Sequence, residues 1–177
     1  INIPVSILYV KIFNLGVEKI ALSSAVVENL KLVSDISKEV GSQSVVVVID
    51  IKKKMFGGYD IYTHNGTRKT KIDLEKFILD LQSLGVGEIV LNSIDNDGVM
   101  KSYDLNLIEK IKPLINVPMT VLGGAGSLDD IKILVEKFGI LGCAAGSLFV
   151  FKGKYKAVLI NYPKQEEKQK LIRNIKL

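Results

Sequence analysis

The sequence predicts an α/β fold of parallel strands joined by helical crossovers. Two observations carry this. Short β-branched runs alternate with longer amphipathic stretches along the chain, and a repeated β-α-β-α order means parallel strands. The run Val45-Val46-Val47-Val48-Ile49 is apolar without alternation, which suits a parallel strand covered on both faces. The spacing fits a barrel or a doubly wound sheet.

Six strands are expected, at 3–5, 19–23, 45–50, 88–93, 119–122 and 141–145. Between them lie helices. In the stretch 74–84, Leu74, Phe77, Ile78 and Leu81 fall at helical spacing, and 105–111 and 128–138 read the same way. Asn29 and Asp73 each stand just before a helical pattern as candidate N-caps. Gly85 and Gly139 follow helices, where a left-handed residue closes the last turn. Gly57-Gly58 breaks an excursion over 52–70 that is expected to form a small hairpin. The charged tail, 164–177, reads as a terminal helix, with Glu166 and Glu167 near its start and basic residues later, as the helix dipole favours.

The chain is 177 residues long, enough for one domain with its own core, and no linker divides it. No apolar run approaches the ~20 residues of a membrane helix, and no secretory leader is recognisable. A single cysteine, Cys143, builds no internal disulfide framework and fits a reducing cytoplasm. It lies in an expected strand and reads as core. The net charge of +5 comes from lysines scattered over helices and tail. No aromatic and basic residues interleave, so a solvated surface is favoured over nucleic-acid binding. The sole histidine, His64, sits in the turn-like Tyr62-Thr63-His64-Asn65-Gly66. With no Cys or second His beside it, neither a metal site nor a Ser–His–Asp triad is expected.

Chemistry is expected where strands stop. Asp50 ends an apolar strand, partly desolvated, either as a general acid–base or as a loop hydrogen-bond acceptor. Strand 88–93 leads into Asp95-Asn96-Asp97-Gly98, a ribose contact or an ordinary turn. Strand 119–122 runs into Gly123-Gly124-Ala125-Gly126-Ser127, and strand 141–145 into Gly146-Ser147. Glycines there expose backbone N–H groups near helix starts, and Ser127 is placed to cap the next helix. Two such loops in succession point to a phosphate cradle.

Several of these segments resemble the HisF family. They are Val17-Glu18-Lys19-Ile20, Ser24-Ala25-Val26-Val27-Glu28-Asn29, Gly41-Ser42-Gln43-Ser44, Tyr62-Thr63-His64, Asn92-Ser93-Ile94-Asp95-Asn96-Asp97-Gly98, Tyr103-Asp104 and Gly123-Gly124-Ala125-Gly126, in family order. The resemblance covers nearly all of 15–151. It implies a (β/α)8 barrel of the ribulose-phosphate-binding type, single-domain over 1–177. About six of the eight strands are expected here, with strands one and two absent.

The resemblance also implies a cytoplasmic heterodimer with a HisH-type glutaminase. The partner's ammonia would cross the barrel and attack a phosphorylated ribulosyl nucleotide, in the lyase and cyclase reaction of imidazole glycerol phosphate synthase in histidine biosynthesis. No cofactor is implied. By this resemblance Asp50 is the second catalytic aspartate. Asp97 matches the acidic residue of the strand-six loop, and Gly123, Gly124, Gly146 and Ser147 match phosphate contacts. Ser23, standing for an asparagine, and Asn92 join them as substrate contacts. Lys19 and Glu88 match residues of an ammonia gate.

Departures from the family are expected to matter. No residue matches the strand-one aspartate, and about ten residues are missing after Ile3-Pro4-Val5-Ser6. The chain begins at Ile1, and a longer polypeptide, near the ~250 residues usual for the fold, is expected. Val99 and Leu122 replace polar residues. The segment 144–153, with 157–163, resembles the HisF-like branch of lipopolysaccharide and other surface-polysaccharide clusters. That branch implies an alternative, delivery of ammonia to an acetamidino group on a sugar. A non-catalytic phosphate-binding barrel fragment is a second alternative. An unrelated isomerase is disfavoured by Lys19 and Glu88.

Overall fold

The computed structural model describes residues 9, 11–153, 155 and 157–172. The expected strand at 3–5 lies outside them. Tyr9 and residues 11–13 are helical. Five parallel strands follow in spatial order: β1 (Ile20–Leu22), β2 (Val45–Lys53), β5 (Glu88–Ser93), β6 (Met119–Leu122) and β7 (Gly142–Cys143). Helices join them: α1 (Ser24–Glu28) and α2 (Lys31–Val40), then α3 (Leu74–Ser83), α4 (Leu105–Ile111) and α5 (Leu128–Phe138).

The expected hairpin forms from β2, β3 (Tyr59–Thr63) and β4 (Arg68–Lys69), all antiparallel. Along one edge β2 pairs first with β1 (Val45 opposite Ile20) and then with β3 (Asp50 opposite Tyr62). Asp50 therefore does not end its strand. The backbone runs on to Lys53 because β3 takes over the hydrogen bonds that β1 leaves off. Lys52 and Lys53, at the end of the strand, are exposed.

Side chains alternate across the sheet. Val45, Val47, Ile49 and Ile51 of β2, Ile89 and Leu91 of β5, and Met119 and Val121 of β6 are buried in one core. Val33 and Ile36 of α2, Phe77, Ile78 and Leu81 of α3, Leu107, Ile108 and Ile111 of α4 and Leu134 of α5 complete it. Each such side chain contributes roughly 1.5–3 kcal/mol when fully buried. The alternate residues Val48, Asp50, Glu88, Val90, Asn92, Thr120 and Leu122 are only half-buried, on the face away from the helices. That face carries the polar groups.

The Asp73 carboxylate caps α3, accepting from the N–H of Lys76 at 2.9 Å. Asn29 caps nothing with its side chain; it ends α1, and its carbonyl accepts from the N–H of Leu32 in the first turn of α2. Gly85 and Gly139 adopt the expected positive φ, +87° and +74°. After β7 come α6 (Ser147–Val150), the two-stranded β8 (Phe151–Lys152) with β9 (Ala157–Val158), and α7 (Gln165–Ile172). The last covers part of the expected tail helix; 173–177 lie outside the described residues. Among the described residues no helix is long and apolar enough to cross a membrane.

Candidate functional site

Asp50, Asn92 and Leu122 are register partners on β2, β5 and β6, and so share one rung and one face. The Asn92 amide Nδ2 donates to Asp50 Oδ1 at 2.8 Å. Strands stand about 4.8 Å apart, which puts the end of β6 about 10 Å from Asp50 along the rung. Gly123 and Gly124 begin there. The N–H of Ala144 bonds the carbonyl of Val121, so Gly146 and Ser147 rise from the same rim. The expected carboxylate and both glycine loops therefore belong to one end of the sheet.

The glycine loop is shaped by packing. Gly123 and Gly124 have φ of +96° and +112°. A Cβ on the first would overlap Ser93 O at the end of β5, and one on the second Ser102 O in the loop after it. The Ser102 N–H donates to Gly124 O at 2.9 Å, and Asn96 Nδ2 to Ser102 O at 3.0 Å. Ser127 caps α5 as expected, in a capping box with Asp130. The Asp130 carboxylate also accepts from the N–H groups of Gly126 and Ser127, at 3.0 and 2.9 Å. Burial pushes that carboxyl up, but the N–H of Gly126, the hydroxyls of Ser127 and Ser102 and the N–H of Ser127 outweigh it and hold it below the usual aspartate value. An internal carboxylate thus uses two of the N–H groups a phosphate would want. Gly146 is exposed, with open space around its Cα.

A second polar group lies at the opposite end of the strands. Lys19, just before β1, pairs with Glu88, the first residue of β5, at 2.8 Å. The Thr120 hydroxyl donates to the other Glu88 oxygen at 2.8 Å. Burial raises the Glu88 carboxyl, yet the hydrogen bonds from Lys19 and Thr120 and the Lys19 charge together lower it. Glu88 and Asn92 have the same strand parity, four residues or about 13 Å apart. Thr120 went unmarked in the sequence; its signal is parity, since it shares the face of Leu122 two residues on.

Asp95 and Asp97 part company. Asp95 accepts from the N–H of Lys53 at 2.9 Å and lies 3.8 Å from Lys52 Nζ, so it braces the hairpin. The Asp97 side chain is exposed in a turn whose N–H groups at 96 and 97 both bond Ser93 O. Ser23 is half-buried between β1 and α1 without a capping bond. Its neighbour Ser24 accepts from the N–H of His64 at 2.9 Å. His64, Asn65 and Gly66 form the expected turn, all with positive φ. Tyr59 at the hairpin base donates to Asp104, which caps α4. Burial and that carboxylate push the Tyr59 hydroxyl up to about 12. The hairpin thus ties the start of α1 to the loop after β5. Cys143 is half-buried, its thiol pushed up to about 11 by desolvation. Among the described residues no three His, Cys, Asp or Glu side chains cluster as metal ligands do.

Residues 8–156 match the model of the family described as "Histidine biosynthesis protein". A Vibrio vulnificus protein provisionally named imidazole glycerol phosphate synthase subunit hisF3 is 57% identical over 163 residues, covering 92% of this chain and 63% of that protein. A Leptospira interrogans protein provisionally named imidazole glycerol phosphate synthase subunit HisF is 52% identical, over 91% of this chain and 64% of its own length. Petrotoga mobilis imidazole glycerol phosphate synthase subunit HisF is 40% identical, over 79% and 56%. The chain thus spans less than two thirds of each of these relatives.

Proposed function

Because the chain belongs to the histidine biosynthesis protein family, whose fold is the (β/α)8 barrel, we propose that it is an ammonia-using synthase subunit of the HisF kind. Its partner is a glutaminase and its substrate a phosphorylated ribulosyl nucleotide. The observation that supports this most is polar placement. A Lys–Glu–Thr group stands at the strand N-termini and a carboxylate at the C-termini, on the same face of one parallel sheet. Ammonia released below would meet Lys19, Glu88 and Thr120 first and the substrate beside Asp50 last.

At Asp50 the chemistry is proton transfer. Ammonia adds through its lone pair to the substrate's ketone carbon as the C=O π bond opens, and Asp50 relays one proton from nitrogen to that oxygen, giving a carbinolamine. Asp50 then relays a second proton from nitrogen to the hydroxyl, which leaves as water as the C=N bond forms, and the imine goes on to cleavage and ring closure. Such transfer by a positioned carboxylate is worth about 10²–10⁴-fold. Gly123, Gly124, Gly146 and Ser147 flank the same rim as phosphate contacts, with Ser23 and Asp97 at its edge.

The test is ammonium-dependent turnover of the nucleotide by this chain and by Asp50→Asn. A loss of at least about 100-fold in the variant is expected; full activity removes Asp50 from the mechanism. Leu122 favours a second reading, since it puts an apolar side chain on the rung of Asp50 and Asn92. Transfer of ammonia to an acetamidino group on a sugar, a smaller substrate, suits that rung. Ammonium-dependent amidination of a sugar without nucleotide turnover would select it. Phosphate binding with neither turnover leaves the non-catalytic reading.

A further inference from the structure

The Asn92 side chain holds a contradiction that a structural role does not resolve. Its Nδ2 donates to Asp50 at 2.8 Å, while its Oδ1 is buried without a hydrogen-bond partner among the described residues. The amide cannot turn round to cure this. An ionised carboxylate is acceptor-only, so the donor end of the amide must face Asp50 and the carbonyl must face away. A buried acceptor left unmade costs about 1–3 kcal/mol. An apolar side chain of similar size would avoid that cost, as Val90 and Val48 do one rung below on the same face. Unsatisfied buried groups of this kind call for an explanation, and local rules are broken mainly at functional positions.

We propose that Asn92 is a positioning residue: its amide N–H fixes the Asp50 carboxylate in one orientation. The role rests on the reading of Asp50 as the proton-transfer group, and the backbone supports it. Asp50 and Asn92 are opposed in register near the C-terminal end of a parallel pair, with Ile51 opposite Ser93 beyond them, so neither can drift without breaking the ladder. Beside them the titratable and charged groups are Tyr62, the partner of Asp50 on β3, Lys52 with Asp95 at the hairpin, and Glu88 with Lys19 at the far end of β5. None of these hydrogen-bonds Asp50 among the described residues, which leaves Asn92 as the polar group that does.

The experiment compares wild type with Asn92→Leu and Asn92→Asp. The Asp50 carboxyl carbon is followed by ¹³C NMR across pH, assigned with Asp50→Asn, and turnover is measured in parallel. Leucine removes the donor and the orphan acceptor together. The Asp50 midpoint is expected to rise by about one pH unit in Asn92→Leu, the size of one hydrogen bond to a charged group. It should rise further in Asn92→Asp, where a like charge replaces the donor. The acid limb of kcat should move with it, KM staying within about twofold, and the melting temperature of Asn92→Leu should not fall. An unmoved midpoint in both variants overturns the proposal, as does a melting loss that accounts for the whole drop in kcat. The two readings fail separately. A moved midpoint with fully active Asp50→Asn keeps the clamp and sinks the proton-transfer role of Asp50; an inactive Asp50→Asn with an unmoved midpoint does the reverse.

Discussion

Replacing Gly124 by alanine tests whether the rim is held by packing between loops. At φ +112° an L side chain is strained, at about 1–3 kcal/mol. The added methyl would overlap the Ser102 carbonyl oxygen and stand 3.1 Å from Asn96 Cβ. Neither neighbour is free to give. Ser102 O accepts from Asn96 Nδ2 and Ser102 N donates to Gly124 O, so making room parts two hydrogen bonds of about 1 kcal/mol each. The sum is about 3–5 kcal/mol of stability.

Urea unfolding followed by circular dichroism measures it. With a slope of about 2 kcal/mol per M, the midpoint should fall by roughly 2 M. A loss under about 1 kcal/mol would refute the reasoning, because it would mean that the loop after β5 yields freely. The size also bears on function. Lost phosphate binding in Gly124→Ala would not by itself identify a phosphate contact, since the variant unseats the whole loop.

Gly146→Ala separates the two roles. Its φ is ordinary and nothing lies within 4 Å of the added methyl, so stability should change by no more than about 0.5 kcal/mol. Weaker phosphate binding by calorimetry would then report contact at this loop; a clear stability loss would contradict the open space. Glu88 predicts an acid dependence of known sign. Its folded value lies below the ordinary 4.5, so the unfolded chain takes up the proton first as pH falls. The stabilisation is complete above that ordinary value and is lost as pH drops through the folded one. Asp130 adds in the same direction from its ordinary 3.8. Urea midpoints from pH 7 down to 3 should fall in that window, and less steeply in Glu88→Gln; identical curves would remove the Lys19 and Thr120 bonds from the balance.

The legible part of the fold was the part written by local rules. The unalternating run at 45–49, the helical spacing at 74–81 and the cap at Asp73 each follow from period and hydrogen-bond chemistry within a few residues, and the structure has them. The end of β2 was misplaced because Asp50 and three lysines look like a strand boundary. What extends the strand is β3, a partner ten residues on, and pairing is not a local property. Asn29 also failed as a cap. Its backbone leaves the helical region (φ −142°, ψ 90°) to end one helix, and the next starts at Lys31 without a side-chain cap.

The site divides along the same line. Residue types at strand ends named Asp50 and Gly124, because chemistry restricts which side chains suit those ends, and the family resemblance named Glu88. What they touch depends on register. Glycines at 123–126 read as an anion cradle when only their own backbone is counted; three-dimensional packing adds Ser93 and Ser102 pressed on two of them and Asp130 on the N–H of the last. Their small size has a sufficient cause before any ligand arrives, so glycine alone weighs little for phosphate here. Asn92 runs the other way. It looks unremarkable in a strand, yet its register opposite Asp50 and its unpaired carbonyl make it the position where packing offers no sufficient cause. Function is best sought where structure leaves a residue unexplained, and on this rim that criterion selects the Asp50–Asn92 rung over the glycine loop.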